Sequence, residues 1–236
     1  MRVRKNVSQF LGHVISDKGI STDPEKLRRN QEWLRPHNQD KARSFIGYAT
    51  YYRKFIQNFA HIVEPLNKLL QKERQFYWGA DCKSSCQTIK AAVKDTITLS
   101  YPDFTKPFIV DCDASDFGIG GVWSQVIRPG VEQPISYFSR TLSKPERKYA
   151  VTCKEILALV DSLRHFHCYI LGRKFKVHTD HSALQWLRTF KEPVGKVTRW
   201  IELVAEYDFD IEHRPGKQHA NADALLATRF ACQRSL

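Results

Sequence analysis

The stretch 108–124, FIVDCDASDFGIGGVWS, decides how this chain is read. Apolar and β-branched residues run into carboxylates at Asp111, Asp113 and Asp116, and a segment with Gly118, Gly120 and Gly121 climbs back into apolar residues. A strand that ends in acids, followed by a Gly-rich return strand, sets side-chain oxygens at a strand edge and lets backbone pass close by. Oxygen ligands placed this way suit Mg²⁺ or Mn²⁺.

Downstream, strands are expected at about 133–139, 174–179 and 208–213, joining those at about 107–113 and 118–126, with a long helix over about 145–164. Mixed strands followed by β-α-β order argue for an α/β domain around one central sheet. Upstream, residues 9–20 read as a short hairpin with an Asp-Lys-Gly turn, and Asp23-Pro24 opens a helix carrying Leu27 and Trp33 that stops before Pro36. A second helix is expected from Asn38 or Asp40 to about Asn58, a third from Glu64 to Gln71, and a fourth from Asp81, as its cap, to about Lys94. Pro102 and Pro107 bracket the link to the central strand, so the expected division is a mainly helical region over 1–100, an α/β domain over 101–230 and a tail over 231–236. The 51–54 segment, Tyr-Tyr-Arg-Lys, is either one face of a small helical bundle or an aromatic and basic strip that follows a phosphate backbone.

A net charge of +12 on 236 residues favours a polyanionic partner, most often nucleic acid, over a basic surface kept for solubility. No apolar run approaches the ~18 residues of a membrane span. The N-terminal Met-Arg-Val-Arg-Lys has no apolar region after it, so no signal peptide is expected and the expected location is cytoplasmic, nuclear or both. Six cysteines lack a CxxC pair and read as reduced and structural. His165, His167 and Cys168 have no second ligand pair, which favours a structural role over zinc.

Three more acids stand out. Glu155 lies at the edge of the buried face of its helix, between Val151 and Leu159; it is a mis-phased surface residue or a ligand, since lone buried carboxylates are costly. Asp180 ends the strand 175–179, where ligand sites of open α/β sheets sit, though it can equally cap the segment from Ser182. Asp223 stands near the start of an expected last helix, after a Gly/Pro loop with His213 and His219, either of which is a candidate proton shuttle. Four acids in the order Asp, Glu, Asp, Asp on strand, helix, strand and helix carry far more weight than any one alone.

FIVDCDASDFGIGGVWSQ, YAVTCKEILALV, VHTDHSALQWL and HRPGKQHANADAL together closely resemble the ribonuclease H domain of gypsy-class LTR retrotransposon Pol proteins. FLGHVISDKGISTDPEKL and SFIGYATYYRKFIQNFAHIVEPLNKLL resemble the end of the reverse transcriptase palm and the thumb, and FYWGADCKSSCQTIKAAVKDTITLSYPDFTKPF the connection to ribonuclease H. The resemblance implies a mixed five-stranded ribonuclease H-like sheet with flanking helices, preceded by a mainly helical thumb and connection. It implies metal ligands at Asp113, Glu155, Asp180 and Asp223 for two Mg²⁺, or Mn²⁺, with Asp111 and Asp116 as neighbours. The family's loop histidine lies ten residues before the last acid, which favours His213 over His219.

The implied activity is endonucleolytic hydrolysis of the RNA strand of an RNA–DNA hybrid. Groups near Ala114 and Ser115 would read 2′-hydroxyls. Only about thirty residues separate Asp180 from the last strand, too few for the extra basic helix of bacterial relatives, so grip is expected from Arg43, Arg53, Lys54 and Lys68. No Asp-Asp pair occurs, so polymerisation is not expected. The ending Asp-Ala-Leu-Leu-Ala-Thr-Arg departs from the family's Asp-Ala-Leu-Ser-Arg and keeps open an inactive, nucleic-acid-binding or connection-like scaffold chain. A homodimer or assembly with other Pol subunits is a further expectation; a membrane partner is not.

Overall fold

The computed structural model describes residues 7–10, 13–16, 19–23, 33–71, 75–94, 98–180 and 195–214. Strands β1 (Val7–Phe10), β2 (His13–Ser16) and β3 (Gly19–Thr22) form an antiparallel meander. Helices α1 (Gln39–Tyr51), α2 (Phe59–Lys68) and α3 (Ala80–Lys94) follow. Then come β4 (Phe108–Ala114), β5 (Gly118–Arg128), β6 (Val131–Thr141), α4 (Val151–Ile170), β7 (Phe175–Thr179), α5 (Lys196–Ala205) and β8 (Phe209–His213).

The larger sheet has the order β6-β5-β4-β7-β8, antiparallel through β6, β5 and β4 and parallel through β4, β7 and β8. It is the five-stranded mixed sheet with flanking helices that the acid-bearing strands require. Strand alternation decides its two faces. Val110, Cys112, Trp123, Phe175, Val177 and Phe209 pack in one core with Ile156, Leu159, Leu163 and Phe166 of α4. A second core gathers Phe45, Phe55, Ile56 and Ile89 of the N-terminal helices with Tyr137 of β6, and Val122 packs against it. The N-terminal half therefore covers part of the sheet face that α4 leaves bare.

The glycines of β5 work on both faces. A Cβ at Gly118 would stand 3.3 Å from Ala60 Cβ and one at Gly120 3.3 Å from Asn58 Oδ1, both at the start of α2. A Cβ at Gly121 would stand 2.9 Å from Ser162 Cβ on α4. The amide of Ala60 also donates to Ser139 Oγ of β6 (3.1 Å), which fixes α2 to the sheet.

Several boundaries differ from the sequence reading. The expected hairpin is a three-stranded meander, tied to the second core by reciprocal Ile20–Leu99 backbone bonds of 2.9 Å. The second helix ends at Tyr51 rather than near Asn58: a 3₁₀ turn, Arg53–Phe55, drives Phe55 inward, and Asn58 takes a left-handed φ of 52°. Asn tolerates that conformation better than most residues. The third helix consequently begins at Phe59, not Glu64, and contains Pro65. The fourth begins at Ala80, so Asp81 is a first-turn acid facing the helix dipole rather than the cap. Pro145 heads a separate 3₁₀ turn, Glu146–Lys148, and α4 runs from Val151 to Ile170. The helix expected around Leu27, the segment from Ser182 and everything beyond Arg214 lie outside the described residues.

Candidate active site

The three described acids of the sequence quartet come together. Asp113 stands near the end of β4, Glu155 in the second turn of α4 and Asp180 immediately after β7. One carboxylate oxygen of each lies within 4.8 Å of the others. Parallel pairing of β4 with β7 brings the two strand ends level, and the packing of α4 against β4 delivers the third acid. Asp223 and His219 lie outside the described residues.

Glu155 carries the electrostatic strain of the cluster. It is only 4% exposed. The Ala114 amide donates to its carboxylate, but Oε2 is buried without a hydrogen-bond partner among the described residues. Burial, then the neighbouring Asp113 and Asp180, push its pKa up to about 8, against the opposing Ala114 bond. A buried carboxylate with an orphaned oxygen beside two other acids is stable when a cation completes the set. The donors are all carboxylate oxygens, so the chemistry fits a hard divalent ion such as Mg²⁺ or Mn²⁺.

His213 reaches the same place from β8. Its Nε2–H donates to the backbone carbonyl of Asp180 (2.9 Å), and the amide of Arg214 donates to the carbonyl of Thr179 (2.9 Å). The Arg214 guanidinium forks onto both oxygens of Glu132 in β6, Nη1 to Oε2 at 3.0 Å. Asp111 belongs to this second group: its Oδ1 meets His178 Nδ1 at 3.1 Å and Arg214 Nη1 at 4.0 Å. Asp111, Glu132 and His178 are close enough together to hold an ion, but Arg214 is the cation seated there. Asp116 pairs with Lys154 (2.8 Å), whose ammonium holds its carboxyl below the usual range.

The remaining candidates do not converge on the acids as one set. Ser115 shapes the β4–β5 turn: its Oγ donates to the Gly118 carbonyl (2.9 Å) and accepts from the Gly118 amide (3.0 Å). The amide of Ser115 is also spent, on the Gly118 carbonyl (2.8 Å). Arg43 pairs with Asp40 (2.8 Å). Arg53 is exposed beside His165, whose pKa is lowered by burial and then by that charge. Lys54 lies over the Phe55 ring, and Lys68 pairs with Glu64 (2.7 Å) and lies over the Phe117 ring. Tyr52 and Phe55 are core residues, so the Tyr-Tyr-Arg-Lys strip is interrupted. His165 stacks on Phe138 and His167 bonds the Tyr207 hydroxyl (2.8 Å), as a structural role requires. Sequence reasoning missed Glu132 and Arg214 because only strand register and the curl of the β5–β6 ribbon bring them together. The ribbon's two register shifts, at Trp123/Ser124 and Val126/Arg128, carry no sequence signal of their own.

Residues 103–207 match the family model described as the RNase H-like domain found in reverse transcriptase. The chain is 36% identical over 222 residues to the retrovirus-related Pol polyprotein from transposon 297 of Drosophila melanogaster, covering 94% of this chain and 20% of that protein. It is 37% identical over 216 residues to the Pol polyprotein from transposon 412 of the same fly, covering 92% and 17%. It belongs to the Pol family of LTR retrotransposons. The Transposon Tf2-3 polyprotein of Schizosaccharomyces pombe is 33% identical over 221 residues, 92% of this Pol chain and 17% of that one. The chain thus spans about a fifth of the length of these relatives. Among solved structures, the foamy viral protease-reverse transcriptase in complex with RNA/DNA hybrid superposes with a TM-score of 0.73 at 20% identity, over 89% of this Pol chain and 29% of that one. The dRH form of that enzyme with double-stranded DNA gives 0.73 at 20%, over 88% and 38%. The fold is therefore that of the matching part of this reverse transcriptase. Among the described residues no helix is long and apolar enough to cross a membrane.

Proposed function

We propose that this Pol chain, of the gypsy class, is a ribonuclease H that hydrolyses the RNA strand of RNA–DNA hybrids. The observation that carries the reading is the meeting of Asp113, Glu155 and Asp180 around the orphaned Glu155 oxygen. Residues 1–100 act as palm end, thumb and connection, and 101–230 as the nuclease domain. Asp113, Glu155, Asp180 and Asp223 would hold two Mg²⁺, or Mn²⁺, and such ions would supply an activated water and charge neutralisation at the scissile phosphate.

The chain's own residues set the conditions for that chemistry. Ala114 fixes the Glu155 carboxylate through its amide. The Asp180 carbonyl accepts from His213 Nε2–H and so fixes the ring, leaving Nδ1 as the nitrogen that would take up a proton and pass it to the departing oxygen. Foamy viral protease-reverse transcriptase, which shares the fold, has been solved with an RNA/DNA hybrid, and the +12 charge suits the same class of partner here. The test is purified chain, Mg²⁺ and a hybrid labelled on the RNA strand, compared with Asp113→Asn. Metal-dependent cleavage abolished by Asp113→Asn supports the reading; no cleavage by the parent, or equal cleavage by both, overturns it. Binding without cleavage would mark an inactive, nucleic-acid-binding chain instead.

A further inference from the structure

Phe117 stands at the tip of the β4–β5 turn, four residues after Asp113, and is 38% exposed. The turn is held rigid by the three Ser115–Gly118 bonds, and the Phe117 carbonyl accepts from the Leu142 amide (2.8 Å) at the end of β6. Two cations from opposite halves of the chain lie over the ring. Lys68 Nζ of α2 is 5.6 Å from its centroid, and Arg147 Cζ of the Glu146–Lys148 turn is 5.5 Å away.

The nearby acids Glu64, Asp116, Glu146 and Asp161 already have cationic partners. Glu64 takes Lys68, Asp116 takes Lys154, and Arg140 takes both Glu146 and Asp161. Arg147 spends its Nε on the Leu142 carbonyl (3.1 Å) and has no carboxylate partner among the described residues. The ring therefore holds a guanidinium without a carboxylate partner at a fixed place beside a lysine, over the turn that follows the Asp113-bearing strand. Lys154, paired to the same turn through Asp116, is the immediate neighbour of Glu155.

We propose that Arg147 and Lys68, stationed by Phe117, form a phosphate subsite that grips the nucleic-acid backbone next to the acid cluster. This deepens the nuclease reading and rests on it for the identity of the ligand, an RNA–DNA hybrid. The guanidinium contributes a planar fork suited to phosphate oxygens, and the lysine a point charge that a phosphate can share with Glu64. One contact comes from the N-terminal helices and the other from the nuclease half, so a bound strand spans both.

The test is fluorescence anisotropy of a labelled hybrid against the full chain carrying Asp113→Asn, across a salt series, so that no cleavage intervenes. In that background Arg147→Ala weakens binding about tenfold and lowers the salt slope by about 0.7–0.9, the value of one phosphate contact. Arg147→Lys restores most of the slope. Arg173→Ala is the control: Arg173 also stacks on an exposed phenylalanine, Phe104, but at the opposite end of the strands, and its removal leaves binding unchanged. Unchanged affinity and slope for Arg147→Ala, or losses equal to those of Arg173→Ala, overturn the subsite. If Arg147→Ala shows the expected loss while the parent chain cleaves nothing with Mg²⁺, the nuclease reading fails and the subsite stands.

Discussion

At the scale of single residues, Glu155 makes the sharpest statement. Its pKa of about 8 in the fold stands above the ordinary 4.5, so the metal-free fold favours the protonated acid. The associated stability is fully present below pH 4.5 and lost as pH rises through 8. With a chelator present, thermal melts should show the parent losing stability across that window. Glu155→Gln, which keeps the shape and removes the charge, should melt higher than the parent at pH 8.5 by about 5 °C and equal it near pH 4. A Gln variant that melts lower at pH 8.5 would contradict the burial argument. His213 yields a second prediction. It touches the Asp180 carbonyl and not the carboxylates, so His213→Ala should slow single-turnover cleavage about 100-fold with little change in hybrid affinity.

The acids were legible in the sequence because each sits at a position an ordinary residue would not occupy. Glu155 interrupts the apolar stripe of α4, and Asp180 ends an alternating strand. The Arg214–Glu132 fork was not legible, because its partners lie 82 residues apart and meet only across a bent ribbon.

At the scale of elements, close approach governs how the acids are delivered. Gly121 lets α4 lie against β5, and a methyl there would meet Ser162. Gly121→Ala should cost about 1–3 kcal/mol through overpacking and shift Glu155 with its helix. Gly47, in α1 with nothing within 4 Å of an added Cβ, should respond oppositely: Gly47→Ala should gain about 0.5–1 kcal/mol. Denaturant melts of the two variants decide it, and equal losses would contradict the account. The Arg214–Glu132 fork fastens β8 to the β5–β6 ribbon and is only partly exposed. Arg214→Ala should cost about 1–2 kcal/mol, between a surface pair and a buried one, by the same melts. The element types in the α/β half were legible from period-2 and helical patterns, whereas the breaks at Tyr52–Asn58 and Pro145–Ala150 were not. There, inward-facing Phe55 and a left-handed Asn58 override a helical pattern that runs on in sequence.

At the scale of the whole molecule, the sheet is packed on both faces, and this links the two halves of the chain. The N-terminal helices rest on β5 and β6 through Gly118, Gly120, Ser139 and Tyr137. The other core joins β4, β7 and α4, the three elements that carry the acids. The acid cluster is thus a property of the complete sheet and not of any one segment. The segments bearing Asp113, Glu155 and Asp180 made this legible in outline. The seating of α2 on the sheet was not, since it depends on which glycine of β5 faces which layer.

The central claim is that Asp113, Glu155 and Asp180 are gathered for divalent cations. Electron paramagnetic resonance of free Mn²⁺ during titration with the full chain tests it most directly. The account predicts saturable loss of the free-ion signal, competed by Mg²⁺ and lost in Asp113→Asn. A signal unaffected by the parent chain, or removed equally by parent and Asp113→Asn, would contradict it.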